Sequence, residues 1–189
     1  PFHRDGILLF MQLLLKSIKR RMRHHISDIV YGANDGIITT FAVVSSAAGA
    51  GFSHQVIIIL GIANLIADGF SMGASKYLSH VSETHANPVD ASLKKRSGPK
   101  DGAVTFVSFV IAGSLPLIPF LFPFVPQEEF LVSIAATGFA LLFVGALRSY
   151  VTKQNPLWAG IEMLLVGGFA ATIAYGLGWF VEHLVGAVV

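Results

Sequence analysis

Polar and apolar positions along this chain fall into long blocks, not a short alternation. Five apolar stretches, at about residues 29–51, 56–78, 102–124, 130–150 and 161–185, are each interrupted by only a few polar side chains. Each reaches the roughly 17–25 residues that a helix needs to cross a hydrocarbon core. Backbone N–H and C=O groups find no water at that depth, so a spanning segment is either a helix or a strand of a closed barrel. Barrel strands would alternate with period two over about 10 residues, and no such alternation runs through these stretches. The pattern therefore predicts an all-α integral membrane protein of five transmembrane helices. The third stretch carries Pro116, Pro119 and Pro123 after Gly113, which predicts a kink or break in its later half. Small residues recur at helical spacing: Gly32 with Gly36, Gly69 with Gly73, and the row Ala63, Ala67, Ser71 and Ser75. They predict close helix approach, because lipid supplies no hydrophobic drive and packing must provide the attraction.

Two units follow from this pattern: a basic segment over residues 1–25 and a five-helix membrane domain over 26–189, with a polar loop at 79–101. In the first, the apolar run 6–15 is too short to span. Its cations, Lys16, Lys19, Arg20, Arg21 and Arg23, follow the run, whereas a secretory signal places them before it. The segment reads as an interfacial helix whose basic end rests on anionic headgroups, or equally as the tail of an upstream domain. Charge then orients the chain. All thirteen Lys and Arg lie in the amino-terminal segment, the connection between the second and third spans, or that between the fourth and fifth. The opposite connections hold no Lys or Arg, and one of them carries Glu128 and Glu129. Positive residues stay on the cytosolic side, so the amino terminus is expected inside and the carboxyl terminus outside.

Composition narrows the function classes. Charged residues make up 13% of the chain and hydrophobic ones 53%, against roughly 25% charged in soluble domains. A length of 189 residues leaves no room for both a helical membrane bundle and a large catalytic module. The absence of cysteine removes disulfides, thiolate metal sites and cysteine nucleophiles. A net charge of +2, with every cation on one side, marks a membrane topology and not a nucleic-acid partner. No Ser, His and Asp constellation, phosphate loop or zinc-type His pair is present, so an enzyme is not expected.

The informative residues are those a bilayer should exclude. Asp35, Asn64, Asp68 and Glu162 lie within predicted spans, where a central carboxylate costs about 2.5–3.5 kcal/mol to insert. Asp68 is placed about ten residues, or roughly 15 Å, from either end of its span, near the midplane. Asn64, Asp68 and Met72 follow at i, i+4 and i+8, which puts an amide oxygen, a carboxylate and a thioether on one helix face. Oxygen donors with a sulfur favour first-row divalent ions such as Fe²⁺, Mn²⁺ or Co²⁺. Asp35, with Thr39 and Ser46 further along its helix, adds a second carboxylate and polar lining. Each residue also has a plainer reading: Met72 as packing, Asn64 as a helix–helix hydrogen bond, and Asp35 as a turn residue in Asn34-Asp35-Gly36. Glu162, near the inner boundary, reads as a solvated group. His80, Glu83, His85 and Asp90 in the 79–101 loop match no strong ligand spacing and read as a solvated loop, with cation capture as the alternative.

Two stretches carry a resemblance. Residues 28–42, Asp-Ile-Val-Tyr-Gly-Ala-Asn-Asp-Gly-Ile-Ile-Thr-Thr-Phe-Ala, and residues 61–78, Gly-Ile-Ala-Asn-Leu-Ile-Ala-Asp-Gly-Phe-Ser-Met-Gly-Ala-Ser-Lys-Tyr-Leu, resemble the vacuolar iron transporter family. That family includes fungal vacuolar iron and manganese importers and nodulin-like proteins. The resemblance covers about residues 25–189. It implies a homodimer of five-helix subunits in the bilayer that carries Fe²⁺ or Mn²⁺ out of the cytosol in exchange for protons, along a path between subunits lined by their first helices. The metal is cargo, and no resident cofactor is expected. The family's Asp-Gly aspartate matches Asp35 and its Ser-Met-Gly methionine matches Met72. Members with a cytosolic metal-binding domain have a long Glu-rich insertion after the second span and a Glu where Asn64 stands. Here the connection is only about 22 residues with one Glu, so a short form without that domain is expected, in which Asp68 supplies the carboxylate Asn64 lacks. The expected metal ligands are Asp35, Asp68, Met72 and Asn64. The host is a bacterial inner membrane or a vacuole-like organelle membrane. The rival reading is a non-transporting membrane anchor or assembly subunit of a metal-storage protein.

Overall fold

The computed structural model describes residues 2–86, 98–122 and 128–186. Among the described residues all regular structure is helical: α1 (Phe2–Gly49), α2 (His54–Ala86), α3 (Gly98–Gly113), a 3₁₀ turn (Leu115–Leu117), the short α4 (Ile118–Leu121), α5 (Glu129–Thr152) and α6 (Pro156–Gly186). Among the described residues, four helices are long and apolar enough to cross a membrane: His54–Ala86, Gly98–Leu121, Glu129–Tyr150 and Pro156–Gly186. The 48-residue α1 is not among these four, because Asn34, Asp35, Thr39 and Thr40 interrupt the apolar run of its second half. Large apolar side chains face outward all round the bundle, among them Phe70, Phe139, Leu157 and Phe169. That arrangement suits lipid and not water.

α1 is the hub, packing against α2, α3, α5 and α6. Its Ile37 and Val44 are fully buried, as is Phe109 of α3. Predicted glycines explain how closely the helices approach. A Cβ on Gly32 would lie 2.6 Å from the Thr105 carbonyl oxygen, and one on Gly36 would strike the backbone of Phe109. Gly73 of α2 and Gly102 of α3 each occupy the space a Cβ on the other would need. The row Ala63, Ala67, Ser71 and Ser75 behaves differently: all four are exposed on the protomer surface.

The third span breaks as its prolines predict. α3 ends at Gly113, a 3₁₀ turn carries Pro116, and α4 carries Pro119; Pro123 lies outside the described residues. A broken helix in lipid leaves carbonyls that need donors. The buried hydroxyl of Ser133 on α5 supplies one, donating to the Pro116 carbonyl oxygen at 2.7 Å. Between α5 and α6 the chain turns in three residues. Lys153 takes a left-handed conformation, φ 59°, and Asn155 Oδ1 accepts a hydrogen bond from Leu157 N at 3.0 Å, capping α6 ahead of Pro156.

Two boundaries differ from the hydropathy pattern. α1 runs unbroken from the basic segment into the first apolar stretch, and α2 continues past Leu78 to Ala86. Hydropathy marks where a helix leaves hydrocarbon, not where it ends, and no Pro or Gly interrupts 74–86. Lys76, His80, Lys100, Asp101, Arg148 and Lys153 gather at one end of the bundle, called the basic end below, while Glu128 and Glu129 begin α5 at the other.

Candidate functional site

Helical periodicity sorts α2 into three parallel rows. Ile57, Gly61, Leu65, Gly69 and Gly73 are buried, mostly against α3. Ala63, Ala67, Ser71 and Ser75 are exposed. Asn64, Asp68 and Met72, the predicted ligand ladder, lie half-buried between them at the border of the protomer. Asp68 is close to the middle of the 33-residue α2.

Asp35 projects from α1, which packs against α2, and its carboxylate is near enough to Asp68 for the two charges to repel. The structure thus brings together the two acidic groups assigned to different helices. Repulsion between like charges across a helix contact is unfavourable. It is relieved when a cation lies between them. Asn64 adds a buried amide, whose Nδ2 finds no partner among the described residues. Met72 packs its side chain against the cluster containing Phe41, Leu65 and Phe109, so the packing reading holds for part of its surface. Among the described residues no three His, Asp or Glu side chains converge. The four predicted ligands thus divide between two helices, with Asp35 on α1 and Asn64, Asp68 and Met72 along one stripe of α2.

Other predicted residues take ordinary roles. The Thr39 hydroxyl donates to the Asp35 carbonyl oxygen at 2.8 Å and closes a local turn of helix. Ser46 lines a cavity of about 630 Å³ with Leu60, Gly178 and Glu182, away from the carboxylate pair. Glu162 is half exposed and accepts a hydrogen bond from Arg148 Nη1 at 3.2 Å, consistent with a boundary residue. His80, Glu83 and His85 lie on the extension of α2; Glu83 and His85 are exposed, and Asp90 lies outside the described residues. His80 is turned inward, with Nδ1 3.8 Å from the buried Asp101 carboxylate.

One pairing was not foreseen from the sequence. Lys76 Nζ lies 2.7 Å from Asp28 Oδ1, joining α2 to α1. Asp28 is almost fully buried and Lys76 about one-third exposed. A signal was present: Lys76 continues the Asn64, Asp68, Met72 ladder by one more step of four, and Asp28 precedes Asp35 by seven residues, two helical turns.

Comparison with known sequences agrees with the motif resemblance. Residues 26–97 and 84–179 match the family model described as "VIT family". A vacuolar iron transporter of Centaurea cyanus is 26% identical, covering 85% of this chain and 91% of that protein. Vacuolar iron transporter 1 of Eucalyptus grandis is 25% identical, covering 83% and 86%. A vacuolar iron transporter of Plasmodium falciparum is 25% identical, covering 82% of each. The two matched segments meet within 84–97, the connection between α2 and α3.

Proposed function

This chain belongs to the VIT family, and from that premise we propose that it is a secondary transporter moving Fe²⁺ or Mn²⁺ out of the cytosol in exchange for protons. The observation that carries this reading is the like-charged pair Asp35 and Asp68, facing each other across the α1–α2 contact. Met72 and Asn64 sit on the same stripe. Similarity to vacuolar iron transporters along most of the chain supports a metal as cargo.

The chemistry follows from charge balance. Two carboxylates away from water must be neutralised by protons or by a cation. In the protonated form each carboxyl holds one proton. An arriving dication takes their place on the oxygens and two protons leave, so the pair is neutral in both states and costly only in between. The same groups then serve metal and protons in turn, and exchange needs no separate relay. A thioether beside oxygen donors favours Fe²⁺ or Mn²⁺ over Mg²⁺ or Ca²⁺.

α1 is taken as the fifth span, its basic end cytosolic as the Lys and Arg distribution indicates. The exposed row Ala63, Ala67, Ser71 and Ser75 is where a second copy approaches. Two copies meeting there would place their half-buried ladders on either side of one path. The anchor reading gains no support from any of these features.

The test is uptake of Fe²⁺ or Mn²⁺ into proteoliposomes under an imposed pH gradient. Metal should enter only with the gradient, and added metal should drive protons the other way. Full transport by both Asp35→Ala and Asp68→Ala would remove these residues from the site.

A further inference from the structure

Arg148 also lines a cavity that plays no part in the transport reading. Its volume is about 240 Å³, and it lies at the basic end between α1, α5 and α6. Val30 of α1 and Met163 of α6 line it and are buried. Ser27 and Tyr31 of α1 line it and are exposed, so an apolar wall gives way to a polar rim. The volume falls below the roughly 300–1,000 Å³ of pockets for drug-sized ligands, which suits a small polar group. The same three helices each carry an exposed aromatic toward this end, Tyr31, Tyr150 and Trp158, residue types that mark headgroup depth.

The cavity meets charges of both signs. Arg148 Nη1 donates to Glu162 Oε2 at 3.2 Å, and the two side chains are 34% and 48% exposed. A guanidinium has five N–H donors and a carboxylate two acceptor oxygens, so one bond leaves capacity on both groups. An exposed pair of this kind is screened and individually weak, so each partner can take a further contact at little cost. A ligand of one sign fits poorly: a lone phosphate on Arg148 comes close to the Glu162 carboxylate and is repelled by it. A phosphate joined to an ammonium fits well. Guanidinium, carboxylate, ammonium and phosphate then alternate around a ring, and every neighbour is of opposite sign.

We propose that this cavity binds the phosphoethanolamine headgroup of a phospholipid, with its phosphate on Arg148, beside the Ser27 and Tyr31 hydroxyls, and its ammonium on Glu162. The inference is independent of which ion the chain carries. The lipid, and not the free headgroup, is the occupant because the cavity lies at headgroup depth on a bundle whose outer face is apolar, where acyl chains are held alongside. Related lipids are separated by the same chemistry. Phosphatidylcholine carries the same charges, but its trimethylated nitrogen has no N–H to donate to Glu162. Phosphatidylglycerol brings the phosphate without a cation.

Native mass spectrometry of the protein in detergent, titrated with the three lipids on identical acyl chains, is the test. Phosphatidylethanolamine should bind at least about tenfold more tightly than either of the others, the effect of one charge-assisted hydrogen bond. Soluble phosphoethanolamine at the same concentration should not displace it. Glu162→Gln keeps the size of the side chain and removes its charge, so the order should invert: phosphatidylethanolamine weakens by about tenfold and phosphatidylglycerol becomes the tighter ligand. Arg148→Gln should abolish the preference among all three. The order in the unmutated protein needs no variant and is a test by itself. Equal binding of the three lipids, or tightest binding of phosphatidylglycerol, would overturn the proposal, as would an unaltered order in Glu162→Gln.

Discussion

At the scale of single residues, the proposed site rests on two carboxylates whose charges repel across the α1–α2 contact. Their removal should therefore separate function from stability. In Asp35→Asn or Asp68→Asn the remaining carboxyl faces no like charge and the shape changes little, so at a pH where both carboxyls would otherwise ionise metal-free protein should melt at a higher temperature, while Mn²⁺ uptake falls by at least about tenfold, the effect of roughly 1.4 kcal/mol. Thermal unfolding in detergent and vesicle uptake read the two effects on the same preparations. The converse holds for the ligand. At a hundredfold excess over its dissociation constant, Mn²⁺ should stabilise the unmutated protein by about 2.7 kcal/mol, and this increment should vanish in Asp35→Asn. A protein stabilised by Mn²⁺ equally well without Asp35 would be binding metal elsewhere. The carboxylates and Met72 stand out in the sequence as candidates because a bilayer penalises charge, so acidic groups spaced helically with a sulfur inside an apolar run differ from their surroundings. Their partners were not. The Lys76–Asp28 pair joins residues 48 positions apart, and helical spacing says which face a residue shares but not which helix meets that face.

At the scale of the helix, glycine positions carry the fold. The predicted pairs Gly32 with Gly36 and Gly69 with Gly73 are where α1 and α2 each press against α3, while the row of similarly small residues at 63, 67, 71 and 75 is exposed on the protomer surface. Spacing alone could not distinguish these cases, since both satisfy the same four-residue rule. Substitution should. A Cβ on Gly36 strikes the Phe109 backbone, which a side chain rotation cannot relieve, so Gly36→Ala should cost about 1–3 kcal/mol. Gly168 and Gly176 on α6 have nothing within 4 Å of an added Cβ. There Ala should be neutral or stabilising by up to about 1 kcal/mol through helix propensity. Melting temperatures of the three variants in one detergent provide the comparison. The proline break of the third span was legible for a local reason: Pro removes its own donor and clashes one turn back. The extension of α2 to Ala86 was not, since hydropathy falls at the interface while helical hydrogen bonding continues.

At the scale of the whole molecule, the protomer leaves the proposed metal ladder at its own border. Asn64, Asp68 and Met72 are half-buried, and the row beside them, Ala63, Ala67, Ser71 and Ser75, faces outward. Lipid could cover that row, but Asp68 beside it then sits one turn of side chains from hydrocarbon, at a cost of about 2.5–3.5 kcal/mol. In the proposed dimer, a second copy would replace lipid with another polar stripe and let the two backbones approach over small residues. The dimer in this view is what makes the carboxylates tolerable, and a wedge at the contact should break assembly and transport together. Ala67 is the residue to use, because it is exposed in the protomer and a larger side chain there leaves the internal packing of α2 on α3 untouched. Ala67→Trp should weaken self-association by at least about tenfold, with Mn²⁺ uptake falling in proportion to the dimer remaining. Dilution of labelled protein into liposomes, scored by single-molecule photobleaching, measures the first quantity and metal flux the second. Ala170→Trp on the partly buried side of α6 serves as the contrasting wedge: it disturbs packing within the protomer, so melting temperature should drop there and hold in Ala67→Trp. Full uptake by monomeric Ala67→Trp would place the whole path inside one subunit, and the ladder at the border would then need α1 and α2 alone to enclose it.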